Sequence, residues 1–78
     1  MAYNISKAIV DNLDNDITQF IINNELNPER IYLGNLEWNA LKEVARAITG
    51  FVYQENTGME YKNIKIYLVK EDSHIAVY

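Results

Sequence analysis

Apolar residues in the last third of the chain alternate in a pattern that is typical of β-strands. Ile64, Ile66 and Leu68 are separated by single residues, so one face of this run is apolar and the other is mixed. A second β-branched run, residues 74–78, follows four polar residues, which is a usual length for a hairpin loop. The pattern predicts a C-terminal β-hairpin over residues 61–78, whose apolar face needs cover from the rest of the chain.

The first segment has helical periodicity instead. Apolar residues recur every four positions, which predicts a helix over residues 6–26 with Ser6 as its N-cap. The stripe consists of Ile5, Ile9, Leu13, Ile17 and Ile21, widened by Val10, Phe20 and Leu26. Residues 12–16 are rich in turn formers, so two shorter helices are an open alternative. Pro28 ends the helical pattern, because proline disfavours helix in the residue before it.

The middle of the chain predicts a strand and a second helix. Residues 29–34 form a short β-type run, and Asn35 follows as a candidate N-cap with Glu37 in the first turn. Apolar residues then recur at helical spacing: Trp38, Leu41, Val44, Ala45 and Ile48. We expect Trp38 to anchor this helix in the core, because its indole is large for so small a domain. Residues 51–53 are either a further strand or a last helical turn.

These elements predict a single α+β domain over residues 1–78. We expect two helices on one face of a three- or four-stranded, mainly antiparallel sheet that ends in the C-terminal hairpin. Residues 54–60 are expected to form a polar loop.

Composition narrows the classes of function. The net charge of the 78 residues is −4, and all of it falls in residues 1–39. An acidic chain without a Lys/Arg cluster disfavours binding to nucleic acid. No run of 18 apolar residues predicts a membrane span. The absence of cysteine fits a cytosolic or virion protein better than a small secreted one.

Candidate catalytic and metal-binding residues are few. His74 is the only histidine, and Asp72 is its only nearby acidic candidate partner, so we expect His74 to be structural or exposed. Asp11 and Asp14 begin stretches that resemble a calcium loop, but the required glycine is missing from both. No phosphate-binding loop or nucleophile elbow occurs. We therefore expect no enzyme activity, no metal and no cofactor.

Tyrosine is the over-used residue type, with six copies. Tyr67 falls opposite the apolar face of its predicted strand, and Tyr32 and Tyr78 can join it on the outer face of the sheet. Such rings are either interface anchors or amphipathic cover for a small core, and both interpretations stay open. Ile75 and Val77 also become interface candidates if the last strand lies at a sheet edge, because no charged residue follows Ser73 to protect that edge.

The layout of residues 27–78 resembles small proteins encoded in the structural-gene regions of bacteriophages and prophages. The residues that carry the resemblance are Pro28, Ile31, Tyr32, Leu33, Gly34, Trp38, Leu41, Tyr61, Ile64, Ile66 and Val77. The resemblance implies a non-enzymatic protein that acts through protein–protein contacts, in virion assembly or as an accessory factor. An acidic inhibitor that occludes a host nucleic-acid-binding protein is the alternative. We expect a protein partner or a second copy of the chain, and a homo-oligomer in particular.

Overall fold

The computed structural model describes residues 2–78, and side chains from residue 6 onwards. Two α-helices and five β-strands follow one another, with one 3₁₀ turn after the second helix. In chain order they are α1 (Ala2–Asn24), β1 (Arg30–Leu33), α2 (Asn35–Val44), the 3₁₀ turn (Ala45–Ala47), β2 (Phe51–Gln54), β3 (Gly58–Tyr61), β4 (Ile64–Leu68) and β5 (Ile75–Val77).

Helix α1 is continuous, so the alternative of two shorter helices is wrong. Leu13, within the stretch of turn formers, is fully buried, and its tertiary packing outweighs the poor local propensity. Ser6 is not the N-cap, because the helix begins at Ala2. Its buried hydroxyl instead donates a hydrogen bond to the Ala40 carbonyl in α2, at 3.2 Å. Ile5 of the predicted stripe lies outside the residues whose side chains are described.

The sheet has five strands in the order β2-β3-β4-β1-β5. The predicted C-terminal hairpin does not form, because β1 lies between β4 and β5. Strand β1 pairs in parallel with β4 and antiparallel with β5, which makes the sheet mixed. The α+β class with two helices and a small sheet is confirmed, whereas the strand number and the hairpin are corrected.

Strands β2, β3 and β4 form an antiparallel meander that the sequence analysis resolved only in part. Residues 51–53 do belong to a strand, and the predicted polar loop contains β3. Lys62 and Asn63 join β3 to β4, with φ angles of 51° and 68°. Two consecutive positive φ angles are characteristic of the type I′ turn, whose twist matches that of the flanking strands.

The core lies between the helices and one face of the sheet. Both helices contribute to a single apolar cluster: Ile9, Leu13 and Ile17 from α1, Leu41 from α2, Ala45 from the 3₁₀ turn, and Ile31, Leu33, Phe51, Met59, Tyr61, Ile64 and Ile66 from the sheet. The inward-facing strand residues alternate with outward-facing ones, as the strand period requires. The opposite face of the sheet is therefore left without a helix.

Trp38 packs at the margin of this cluster rather than at its centre. Its indole is partly exposed and meets the ring of Tyr53 edge to face, with the ring centroids 6.4 Å apart. Leu41, one turn later in α2, is fully buried. The expectation that Trp38 anchors the helix in the core is thus corrected, and Leu41 has that role.

We predict that Leu41→Ala costs about 3–4 kcal/mol in the free energy of unfolding, because it leaves a closed cavity. Trp38→Ala should cost about 2 kcal/mol, since part of its ring already contacts water. Urea denaturation of the two variants tests this order. A larger loss for Trp38→Ala would place the indole, not Leu41, at the energetic centre of the domain.

Candidate interaction surface

Three tyrosine rings meet on the helix-free face of the sheet. Tyr32, Tyr67 and Tyr78 come from three adjacent strands or strand ends. The ring of Tyr32 lies 5.6 Å from that of Tyr67 and 5.4 Å from that of Tyr78, measured between centroids. Tyr67 is 39% exposed and Tyr78 53% exposed. Strand alternation in the sequence predicts this grouping, and the structure brings all three rings together.

Two cations complete the surface, which we call the tyrosine patch (Arg30, Tyr32, Lys65, Tyr67 and Tyr78). The guanidinium of Arg30 lies 5.9 Å from the Tyr32 ring centroid, and one of its N–H groups donates to the Tyr32 hydroxyl at 3.3 Å. The Lys65 ammonium lies 5.9 Å from the Tyr67 ring centroid. Both distances are within the range of cation–π attraction. The patch therefore presents positive charge and aromatic surface on a chain whose net charge is −4.

Backbone hydrogen bonds hold Tyr78 in place beside β1. Its N–H donates to the Arg30 carbonyl at 2.9 Å. Its own carbonyl accepts from the N–H groups of Glu29 and Arg30, at 2.7 and 2.9 Å. These three bonds fix the backbone of Tyr78 beside β1, and its ring packs edge to face against that of Tyr32. The backbone of the patch is therefore preorganised at this strand end.

Strand β5 lies at one edge of the sheet. The prediction of an interface at Ile75 and Val77 required this position. Ile75 and Val77 do not join the tyrosine patch, because their side chains point to the opposite face and pack against the core. Their backbone groups are what the edge presents. Of the five interface candidates, Tyr32, Tyr67 and Tyr78 thus form one surface, and Ile75 and Val77 belong to another.

The buried carboxylate of Glu37 positions the segment that leads into β5. Glu37 is only 3% exposed and lies in the first turn of α2. One of its oxygens accepts from the Ser73 hydroxyl, and the other accepts from the His74 N–H at 3.0 Å. Hydrogen bonds to a carboxylate are stronger than those between neutral groups. Glu37 therefore holds the loop of residues 69–74 against the start of α2.

Backbone carbonyls of the same loop cap α2, so Asn35 is not the N-cap that was expected. The cap residue is Gly34, and it makes no side-chain hydrogen bond. The N–H groups of Asn35 and Leu36 donate to the carbonyls of Glu71 and Asp72 instead, at 2.8 and 2.9 Å. A Cβ at Gly34 would lie 2.7 Å from the His74 nitrogen. The close approach of the loop therefore requires glycine here.

We predict that Glu37→Ala lowers the free energy of unfolding by about 2–3 kcal/mol, because two donors lose a buried charged acceptor. Glu37→Gln should lose about 1 kcal/mol, since its amide oxygen still accepts one of the bonds. Urea denaturation measures both, with Glu43→Ala on the exposed side of α2 as the matched control. Amide exchange at His74 should also accelerate in the alanine variant. Equal stability of Glu37→Ala and the control would contradict the anchoring role.

A second polar cluster joins α1 to the turn between β3 and β4. The hydroxyl of Tyr61 donates to the carboxylate of Asp14, and the Lys62 ammonium lies 3.2 Å from the same oxygen. Burial of Tyr61 raises its pKa above 10.0, and the hydrogen bond to Asp14 raises it further. The bond to Asp14 likewise raises the pKa of Lys62 above 10.5. Both shifts favour the protonated forms in the folded protein.

These shifts predict a loss of stability in alkali. A group whose folded pKa is raised contributes stability that is complete below its unfolded pKa, here 10.0 for Tyr61, and is lost as the pH rises through the folded value. The urea midpoint of the native protein should therefore begin to fall near pH 10.0 and fall further as the pH rises above it. Tyr61→Phe should reduce that fall, whereas Tyr67→Phe, on an exposed ring, should not. An equal fall in all three proteins would refute this origin.

The other polar residues and surfaces of the described part of the chain are weaker candidates for a functional site than the tyrosine patch. The His74 side chain is exposed, and within residues 2–78 no three His, Cys, Asp or Glu residues are grouped so that they could hold a metal ion. A groove of about 260 Å³ lies between α1 and the 3₁₀ turn, lined in part by Val10 and Ile48. Helices long and apolar enough to cross a bilayer are absent from the described part of the chain.

Comparison with known proteins identifies no relative. No protein-family model, curated protein or solved structure matches this chain.

Neither the place of Arg30 on the patch nor the anchoring role of Glu37 was predicted from the sequence. Arg30 could have been found, because it lies two residues before Tyr32 and so shares its face of the strand, as Lys65 does with Tyr67. Glu37 was noted only for its place near a helix N-terminus. Its partners lie 36 and 37 residues later, and no local pattern signals a bond over that separation.

Proposed function

We propose that this chain is a non-enzymatic phage or prophage protein that acts through protein–protein contacts, in virion assembly or as an accessory factor. The observation that carries the contact function is the tyrosine patch. The rings of Tyr67 and Tyr78 are exposed, and that of Tyr32 is half-buried between them, on a sheet face without a helix. Aromatic residues and arginine are the side chains most enriched among the residues that dominate binding energy in interfaces. The phage assignment rests on the layout resemblance, and the host cytoplasm or the virion is the proposed location.

The chemistry of the patch indicates the kind of partner surface. Arg30 and Lys65 add positive charge beside the rings, so a complementary surface carries carboxylates next to apolar groups. The neighbouring Glu60 pairs with Lys65 across β3 and β4 and marks the border of the positive area. We therefore propose a protein partner with an acidic, partly apolar face.

The alternative, an acidic inhibitor that imitates nucleic acid, would need free carboxylates at the spacing of phosphates. Asp14, one of the three aspartates of α1, bonds to Tyr61 and Lys62. This pairing offsets part of the negative charge of α1 and so favours the tyrosine patch over α1 as the contact surface.

Crosslinking in cells that express the chain tests the proposal. A photo-reactive phenylalanine in place of Tyr67 should crosslink to a defined protein. The same group in place of Val52 should not crosslink to that protein. Val52 is a suitable control because it is 51% exposed and lies on β2, at the sheet edge opposite β5. Equal capture at both positions would contradict a specific patch.

Affinity for the crosslinked protein then measures the contribution of the ring. Tyr67→Ala should weaken binding about 30-fold, which corresponds to about 2 kcal/mol for an interface centre. Its stability should change by no more than about 1 kcal/mol, because the ring is exposed. Val52→Ala is the matched control. Retarded migration of single-stranded nucleic acid at low salt, lost in Tyr67→Ala, would instead assign the patch to nucleic acid.

A further inference from the structure

We infer that the free edge of β5 pairs with β5 of a second copy, antiparallel and about a two-fold axis at Ala76. This pairing uses the edge of the sheet and not the tyrosine patch, so it goes beyond the proposed function.

The direction of the β5 backbone follows from its hydrogen bonds to the strand β1. His74 accepts from Gly34, and Tyr78 exchanges two bonds with Arg30. In an antiparallel pair the residues bonded to the neighbouring strand alternate with residues whose groups point away from it. The N–H and C=O groups of Ile75 and Val77 therefore point to the open side of the strand.

The open side is complementary to itself. In an antiparallel pair centred on Ala76, Ile75 lies opposite Val77 of the second copy, and the reverse pair forms as well. Each pair exchanges two hydrogen bonds, so four backbone bonds form. The two copies of Ala76 then face each other as a non-hydrogen-bonded pair, in which the Cα atoms approach to about 4.5 Å. Alanine is small enough for that approach, and the strand Ile75–Val77 is uncharged.

The other sheet edge, β2, is less open. The N–H of Phe51 already donates to the Ile48 carbonyl, at 3.2 Å, next to the 3₁₀ turn. Glu55 also follows β2 directly, and a charged side chain beside an edge strand disfavours pairing with another strand. Self-pairing therefore favours β5, and a two-fold pair closes without leaving a further β5 edge.

The paired copies would form one ten-stranded sheet with a tyrosine patch on each side of the axis. His74 of one copy would lie opposite Tyr78 of the other on the outer face, next to both patches. The contact is small, so we expect a dissociation constant in the micromolar range. A partner with two sites would then bind the dimer more tightly than it binds one copy.

Disulfide trapping tests the axis directly, because the native sequence contains no cysteine. Two residues that face each other in a non-hydrogen-bonded pair have Cα atoms within the range that a disulfide spans. Ala76→Cys should therefore form a covalent dimer under mild oxidation, much faster than Val52→Cys on β2. Equal rates for the two variants, or no dimer from Ala76→Cys, would overturn the proposal.

Charge complementation provides an independent test. Sedimentation of the native chain should show a concentration-dependent change from 9.1 kDa to twice that mass. Ala76→Lys and Ala76→Glu, each folded by circular dichroism, should each weaken the dimer by about tenfold or more, because like charges meet at the axis. Mixing the two variants should restore a dimer. A native chain that stays at 9.1 kDa at every concentration, or a mixture that stays monomeric, would refute the pairing.

Discussion

The buried carboxylate of Glu37 is the interaction on which the arrangement of the sheet depends. It binds the Ser73 hydroxyl and the His74 N–H, while the carbonyls just before them in the loop cap the N-terminus of α2. The loop thus supplies acceptors to the helix, and the helix supplies an acceptor to the loop. This exchange fixes the point from which β5 starts, and so directs it along the free side of β1 rather than back along β4.

The position of β1 explains why the sheet is mixed. Ile31 and Leu33 are fully buried, and β1 is paired on both sides. A parallel pair requires a long connection, and here the segment from α2 through β3 provides it between β1 and β4. Strand β5 then returns on the outer side of β1 by the short loop that Glu37 anchors. A direct hairpin between β4 and β5 would leave β1 with one edge unpaired.

Local patterns predicted the elements better than their pairing. The helices, the strand β1 and the alternation in β4 follow from periodicity, which reports which face of each element is buried. The pairing of β5 with β1 does not, because a four-residue loop suits a hairpin equally well. Strand β3 was missed because Gly58 and Glu60 are poor strand formers, although Met59 and Tyr61 alternate inward. The tyrosine grouping was predictable from alternation alone, whereas the bonds of Glu37 and Asp14 depend on tertiary structure.

The pairing of β5 with β1, which the structure has in place of the predicted hairpin, also creates the candidate surfaces. Because β1 lies between β4 and β5, Tyr32 contacts a tyrosine on each side, and the backbone bonds of Arg30 hold Tyr78 in register. That arrangement leaves β5 at the rim with two residues whose backbone groups face outward. The tyrosine patch and the open edge of β5 thus both result from the position of β1 between β4 and β5, and the loop held by Glu37 stabilises both.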